Sequence, residues 1–176
     1  MSHNTVINPF KIILLLFLIA SCSTLVEDKN TNKNNVMYKI QSIDSNFSNL
    51  ETLLFVDIGT QSLLHIKKGT VLKYYSISSS YYGTGSKENS LKTPLGRHEI
   101  YKKIGNGLPN NAILKGRVWN GAIADIIVEP IDTDFDHVTS RILWLDGLEV
   151  GKNKGKGIDS RNRYIYTVSY THLTLP

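Results

Sequence analysis

The sequence predicts a mostly-β domain, a sandwich or barrel with at most one short helix. Three observations lead there. Short runs rich in Leu, Val, Ile and Tyr recur from Leu53 onward, each about 4 to 8 residues long. Gly, Asn, Asp and Lys cluster between them as turn signals. One run, 71–78, alternates, with Val71, Lys73, Tyr75 and Ile77 on one face and Leu72, Tyr74 and Ser76 on the other.

The elements follow in chain order. Residues 1–21 have the three parts of an export leader: a polar start with Lys11, an apolar stretch over 12–19, then Ala20 and Ser21. The apolar stretch is shorter than the roughly 20 residues a bilayer span needs. Ile19-Ala20-Ser21-Cys22 resembles the bacterial lipobox, which implies acylation of the Cys22 thiol and a lipid-anchored chain in the cell envelope, facing the periplasm. Ser23 in the second position implies sorting to an outer membrane in a host that has one. Residues 22–49 are rich in Asn, Ser, Lys and Asp and are expected to be a polar tether, with a short helix around 36–43 weakly marked.

From 53 a β-meander is expected: a strand over 53–57, a turn over 58–61, a strand over 62–66, a turn at 67–70 with Gly69 at positive φ, and a strand over 71–78. Further strands are predicted at 96–101, 115–118, 126–129 and 141–145. The formal charge is +5; loss of the leader removes Lys11 alone and leaves about +4. That modest basic excess suits a polyanionic wall or a membrane surface. Nucleic acid is not indicated, because no arginine-rich helix or aromatic–basic interleaving is present.

Several segments invite chemistry and fail its spacing rules. Gly83-Thr84-Gly85 and the run from Gly151 to Gly157, with Lys152, Lys154 and Lys156, satisfy neither phosphate-loop pattern and read as surface loops. Asp132, Asp134 and Asp136 alternate like a calcium loop, but His137 and Leu143 occupy the positions that need Gly and Glu, so no metal site is assigned. No cofactor site is assigned either. His65 and His98 read as structural or surface histidines. Lys92-Thr93-Pro94-Leu95-Gly96 is a shaped loop in which Pro94 fixes φ and Gly96 permits a tight bend before a strand.

Thr93-Pro94-Leu95-Gly96 and the meander before it resemble the catalytic domain of L,D-transpeptidases, the YkuD-like family. Lys103-Ile104-Gly105, Lys115-Gly116-Arg117-Val118, the segment from Thr139 to Gly147 and Asn162-Arg163-Tyr164-Ile165-Tyr166 resemble a bacterial branch of it. The resemblance implies a mostly-β YkuD-like sandwich over 50–166 and cysteine acyl transfer on peptidoglycan stem peptides. In such chemistry a thiolate attacks the carbonyl of the third-position diamino acid, and a terminal D-alanine leaves. The thioester then passes to an amine, to the lysine of a wall-attached envelope protein, or to water.

The family's His-Gly strand end and its Ser-His-Gly-Cys segment are not found. After Tyr166 the chain runs to His172 at the wrong offset, with no Gly after it, and Cys22 is the single cysteine. No catalytic residue is therefore assigned, and the chain as given is expected to be inactive. Residues 168–176 resemble one translated frame of a sequencing-library adapter, so 167–176 is expected to be a non-native tail and the domain to be truncated. The alternative reading is a non-catalytic wall-binding envelope lipoprotein.

Overall fold

The computed structural model describes residues 13–17, 36–42, 45, 47–127 and 137–170. Cys22, the remainder of the leader, the Asp132–Asp134–Asp136 segment and His172 lie outside the described residues. The chain divides into two compact units, Met1–Ser76 and Ile77–Pro176.

In the first unit, α1 covers 36–42, followed by a 3-10 turn at Phe47–Asn49. The meander is as expected: β2 (Leu53–Asp57), β3 (Ser62–Lys67) and β4 (Thr70–Ser76) pair antiparallel in sequence, and β1 (Ile13–Phe17) registers parallel to β2. Within the stretch expected as a tether, 36–42 is helical and 47–49 is a 3-10 turn. Val36, Met37 and Ile40 fall at helical i, i+1, i+4 spacing on one face. Ile40 and Phe47 are fully or nearly buried against Leu53, Phe55, Leu64 and Ile66. Few apolar residues suffice there because they share a face. Asp57 closes the first turn: its carboxylate accepts from the Gly59 and Thr60 N–H groups and meets Lys39 Nζ at 3.4 Å. Gly69 has φ +72, as its turn requires.

The second unit is organised on its longest strand, β8 (Val138–Gly147). β5 (Gly96–Ile104) pairs antiparallel with its C-terminal half, and β9 (Tyr166–Tyr170) pairs along Val138 to Trp144. β6 (Ala112–Lys115) touches β8 at Ile113↔Thr139 and forms a hairpin with β7 (Val118–Ile123). The strand expected at 115–118 is instead the turn of that hairpin, because Gly116 and Arg117 both take positive φ, 57° and 68°. The strand expected at 126–129 is a single bridge residue, Ile127, where described. Residues 167–170, expected as part of a non-native tail, lie in β9. Ladder pairing uses main-chain groups, and Thr167, Val168 and Tyr170 are β-formers whatever their origin.

Candidate functional site

Residues 148–165 contain no helix or strand, yet buried side chains order them. Asn153 is 0 % exposed. Its Nδ2 donates to Leu95 O and Arg97 O, both at 3.0 Å, and its Oδ1 accepts from Glu149 N–H at 2.9 Å. Its own carbonyl accepts from Ser160 N–H at 2.9 Å. Gly147 lies against that carbonyl so closely that a Cβ would collide with it. Gly96, at φ +98, sits with Glu149, Lys152 and Asn153 where its Cβ would be. The Pro94–Gly96 bend thus serves the approach of 149–153 to β5.

His98 belongs to the same network. Its Nδ1 lies 2.9 Å from Gly96 O and its Nε2 2.8 Å from Ser160 Oγ. A carbonyl can only accept, so Nδ1 carries the proton, and in the neutral ring Nε2 accepts from the Ser160 hydroxyl. A Ser–His pair at this distance has the geometry of an activated nucleophile. Both residues are 0 % exposed, so no substrate reaches Ser160 and the pair is a structural lock. Burial pushes the His98 pKa below 6.5, outweighing the Gly96 hydrogen bond and the fields of Glu149 and Asp146, which raise it. The expectation of a structural histidine therefore matches its position. His65 sits half-buried in β3 opposite Lys73.

Glu149 is half-buried. Burial raises its pKa, but the Arg97 N–H donating at 2.5 Å, and Lys152 beside it, bring it below 4.5. Lys154 meets Asp146 at 3.3 Å, and Arg161 meets the same carboxylate at 3.8 Å. Lys152 meets Glu149 at 3.3 Å. Two of the three loop lysines are thus paired with acids and do not form a free cationic patch. Gly83-Thr84-Gly85 is tied to Thr93 by backbone bonds in both directions. Arg163 clamps that loop, donating to Lys92 O at 2.7 Å and to Gly85 O at 3.3 Å.

The accessible feature of this unit is an aromatic–arginine face on β8. At Tyr101 the β5–β8 register shifts by a bulge, which aims its ring at Trp144, edge to face at 5.3 Å. Tyr164 and Tyr166 approach Trp144 at 5.6 and 5.8 Å. The Arg117 guanidinium lies 4.9 Å from both the Trp144 and Tyr164 rings and donates to Tyr166 Oη at 3.0 Å. Arg161 lies 5.1 Å from the Tyr101 ring, and its carbonyl accepts the Trp144 indole N–H. Sequence reasoning missed this face. Its members are scattered from 101 to 166, and only the alternation of Tyr164 and Tyr166 before a strand hinted at a shared side.

Among the described residues no group of three His, Cys, Asp or Glu side chains is placed to hold a metal ion. No described helix is long and apolar enough to cross a membrane. The sequence model of the YkuD family, the L,D-transpeptidase catalytic domain, matches residues 51–167, a span that includes His98, Asn153, Ser160 and the whole aromatic–arginine face. No curated protein and no solved structure matches the chain.

Proposed function

The chain belongs to the L,D-transpeptidase catalytic-domain family, and from that premise we propose that it is the scaffold and substrate-facing part of a cysteine acyltransferase of cell-wall cross-linking or remodelling. The match over 51–167 carries this reading. The reaction that the family implies joins a cysteine sulfur to the carbonyl carbon of the third stem residue. The peptide C–N bond breaks, and the leaving D-alanine takes a proton. An acceptor amine, a protein lysine or water then attacks the thioester and restores the thiol.

The chain as it stands does not complete that step. No cysteine lies within 51–167, and the single one, Cys22, stands before the domain. A thiol acylated at the lipobox-like Ile19–Cys22 would be consumed by anchoring, which supports an envelope location on the membrane surface. His98 does not supply the missing base, since it is sealed in the lock with Ser160. The absence of a thiol from the matched span also supports a second reading, a wall-binding envelope lipoprotein without turnover.

The test is sedimentation of the full chain with purified sacculi, followed by assay of released D-alanine and of the muropeptides formed. Pelleting without D-alanine release is the expected result. Release of D-alanine would overturn the inactive reading, and failure to pellet would overturn the wall substrate. Appending a family-type His-Gly and cysteine-bearing segment after residue 167 separates the two readings, because turnover appears only for an enzyme scaffold.

A further inference from the structure

We propose that Arg117 is a binding residue for a peptide carboxylate, presented at the tip of the β6–β7 hairpin against the aromatic face of β8. The substrate class rests on the wall-peptide reading above; the anion site itself rests on the geometry of Arg117.

The backbone is the first observation. Lys115↔Val118 closes a two-residue hairpin whose central residues, Gly116 and Arg117, both have left-handed φ. Such a turn favours Asn, Asp or Gly, because a Cβ in that conformation crowds the following carbonyl. Gly116 satisfies the rule and Arg117 breaks it. A strained residue at an exposed loop tip points to a use for its side chain.

The second observation is how that side chain is held. Two ring faces, Trp144 and Tyr164, flank the guanidinium at 4.9 Å each, and one N–H is taken by Tyr166 Oη. The group is oriented before any ligand arrives, which reduces the ordering needed on binding. Five N–H donors are available on a guanidinium, and its planar fork matches a carboxylate in a bidentate pair.

The third observation is the missing counter-charge. Arg117 makes no ion pair among the described residues, whereas Arg161 on the same face has Asp146 at 3.8 Å. Arg141 and Arg163 donate to backbone carbonyls. Hydrogen bonding to Tyr166, followed by that phenol's field, raises the Arg117 pKa above its already high ordinary value, so the charge is permanent. A fixed cation walled by aromatic rings and lacking an acid suits the free carboxylate of a peptide whose apolar body lies along Tyr101 and Tyr164, both more than half exposed.

The test titrates the full chain with three synthetic probes by calorimetry: a wall stem tetrapeptide with free carboxylates, the same peptide with its carboxylates amidated, and an unrelated acidic tetrapeptide. Two variants accompany it. Arg117→Asn suits the turn and keeps the hairpin. Arg117→Lys keeps the charge without the fork. We expect both variants to weaken the free-acid stem peptide by roughly tenfold or more, and amidation to weaken it similarly in the parent chain. Thermal melts should show Arg117→Asn folded. Equal affinity of Arg117→Asn and the parent for the free-acid stem peptide, with sacculus pelleting retained, overturns the site and leaves the wall reading standing. Arg117-dependent binding of the unrelated acidic peptide without binding of the stem peptide supports the site and removes the wall reading. No measurable binding of either free-acid peptide overturns the proposal.

Discussion

Replacing Asn153 with leucine should remove a large part of the second unit's stability. The two side chains share a branched skeleton, but leucine is larger, so the loss adds some overpacking to the removal of hydrogen bonds. Three bonds disappear: Nδ2 to Leu95 O, Nδ2 to Arg97 O, and Glu149 N–H to Oδ1. Arg97 O retains the Leu148 N–H at 3.0 Å, so it keeps a partner. Leu95 O and Glu149 N–H do not, and the residue between them is fully buried, leaving no room for water. An orphaned buried group costs about 1–3 kcal/mol. Two of them give roughly 4 kcal/mol, against the 5–15 kcal/mol or so that ordinarily holds a domain together. Urea unfolding followed by far-ultraviolet circular dichroism measures the loss, and amide exchange at Glu149 should accelerate in step. A loss below about 1 kcal/mol with an unchanged m value would refute the claim that these bonds hold the loop.

Three further outcomes are expected. His98 is held neutral by burial, so its folded pKa lies below the unfolded 6.5. The unfolded chain takes up that proton first. Its contribution is therefore complete above 6.5 and is lost as pH falls from there through the folded pKa; melts across this window should fall more steeply for the parent than for His98→Gln. Gly147→Ala puts a Cβ into the Asn153 carbonyl, which is backbone and cannot swing aside, so a loss of about 1–3 kcal/mol is expected by thermal melting, and an unchanged midpoint would count against it. Arg163→Met releases the Gly85 and Lys92 carbonyls; trypsin should then cut the 83–93 loop, at Lys87 or Lys92, faster than in the parent, and equal cleavage rates would mean that the clamp is not what holds it.

The meander was legible because strands announce themselves through alternation and turns through Gly, Asp and Lys at fixed offsets. The fold class and family followed from those signals and from motifs in order. The β6–β7 hairpin was misread because its turn hides an arginine where turn chemistry expects Gly or Asn. Helix α1 was visible only as a faint periodicity. The buried network was invisible: Asn153 sits in a lysine-rich run that looks like solvated surface, and its partners Leu95 and Arg97 lie 58 and 56 positions away. Local pattern carries no information about a contact of that separation. The face around Trp144 was hidden for the same reason, with Arg117 and Tyr166 49 positions apart.

Stretches without helix or strand usually accept insertions and deletions, since nothing in them is counted off against a neighbour. The stretch from Glu149 to Ser160 is different. Asn153 must reach β5 with its amide while its carbonyl meets Ser160, and Ser160 must in turn reach His98 with its hydroxyl. Adding or deleting one residue between any two of these points would pull at least one polar group off its partner. Its length is therefore as constrained as the register of a strand, and a family of such chains should vary here in side-chain identity at Lys152, Lys154 and Lys156 far more readily than in residue count.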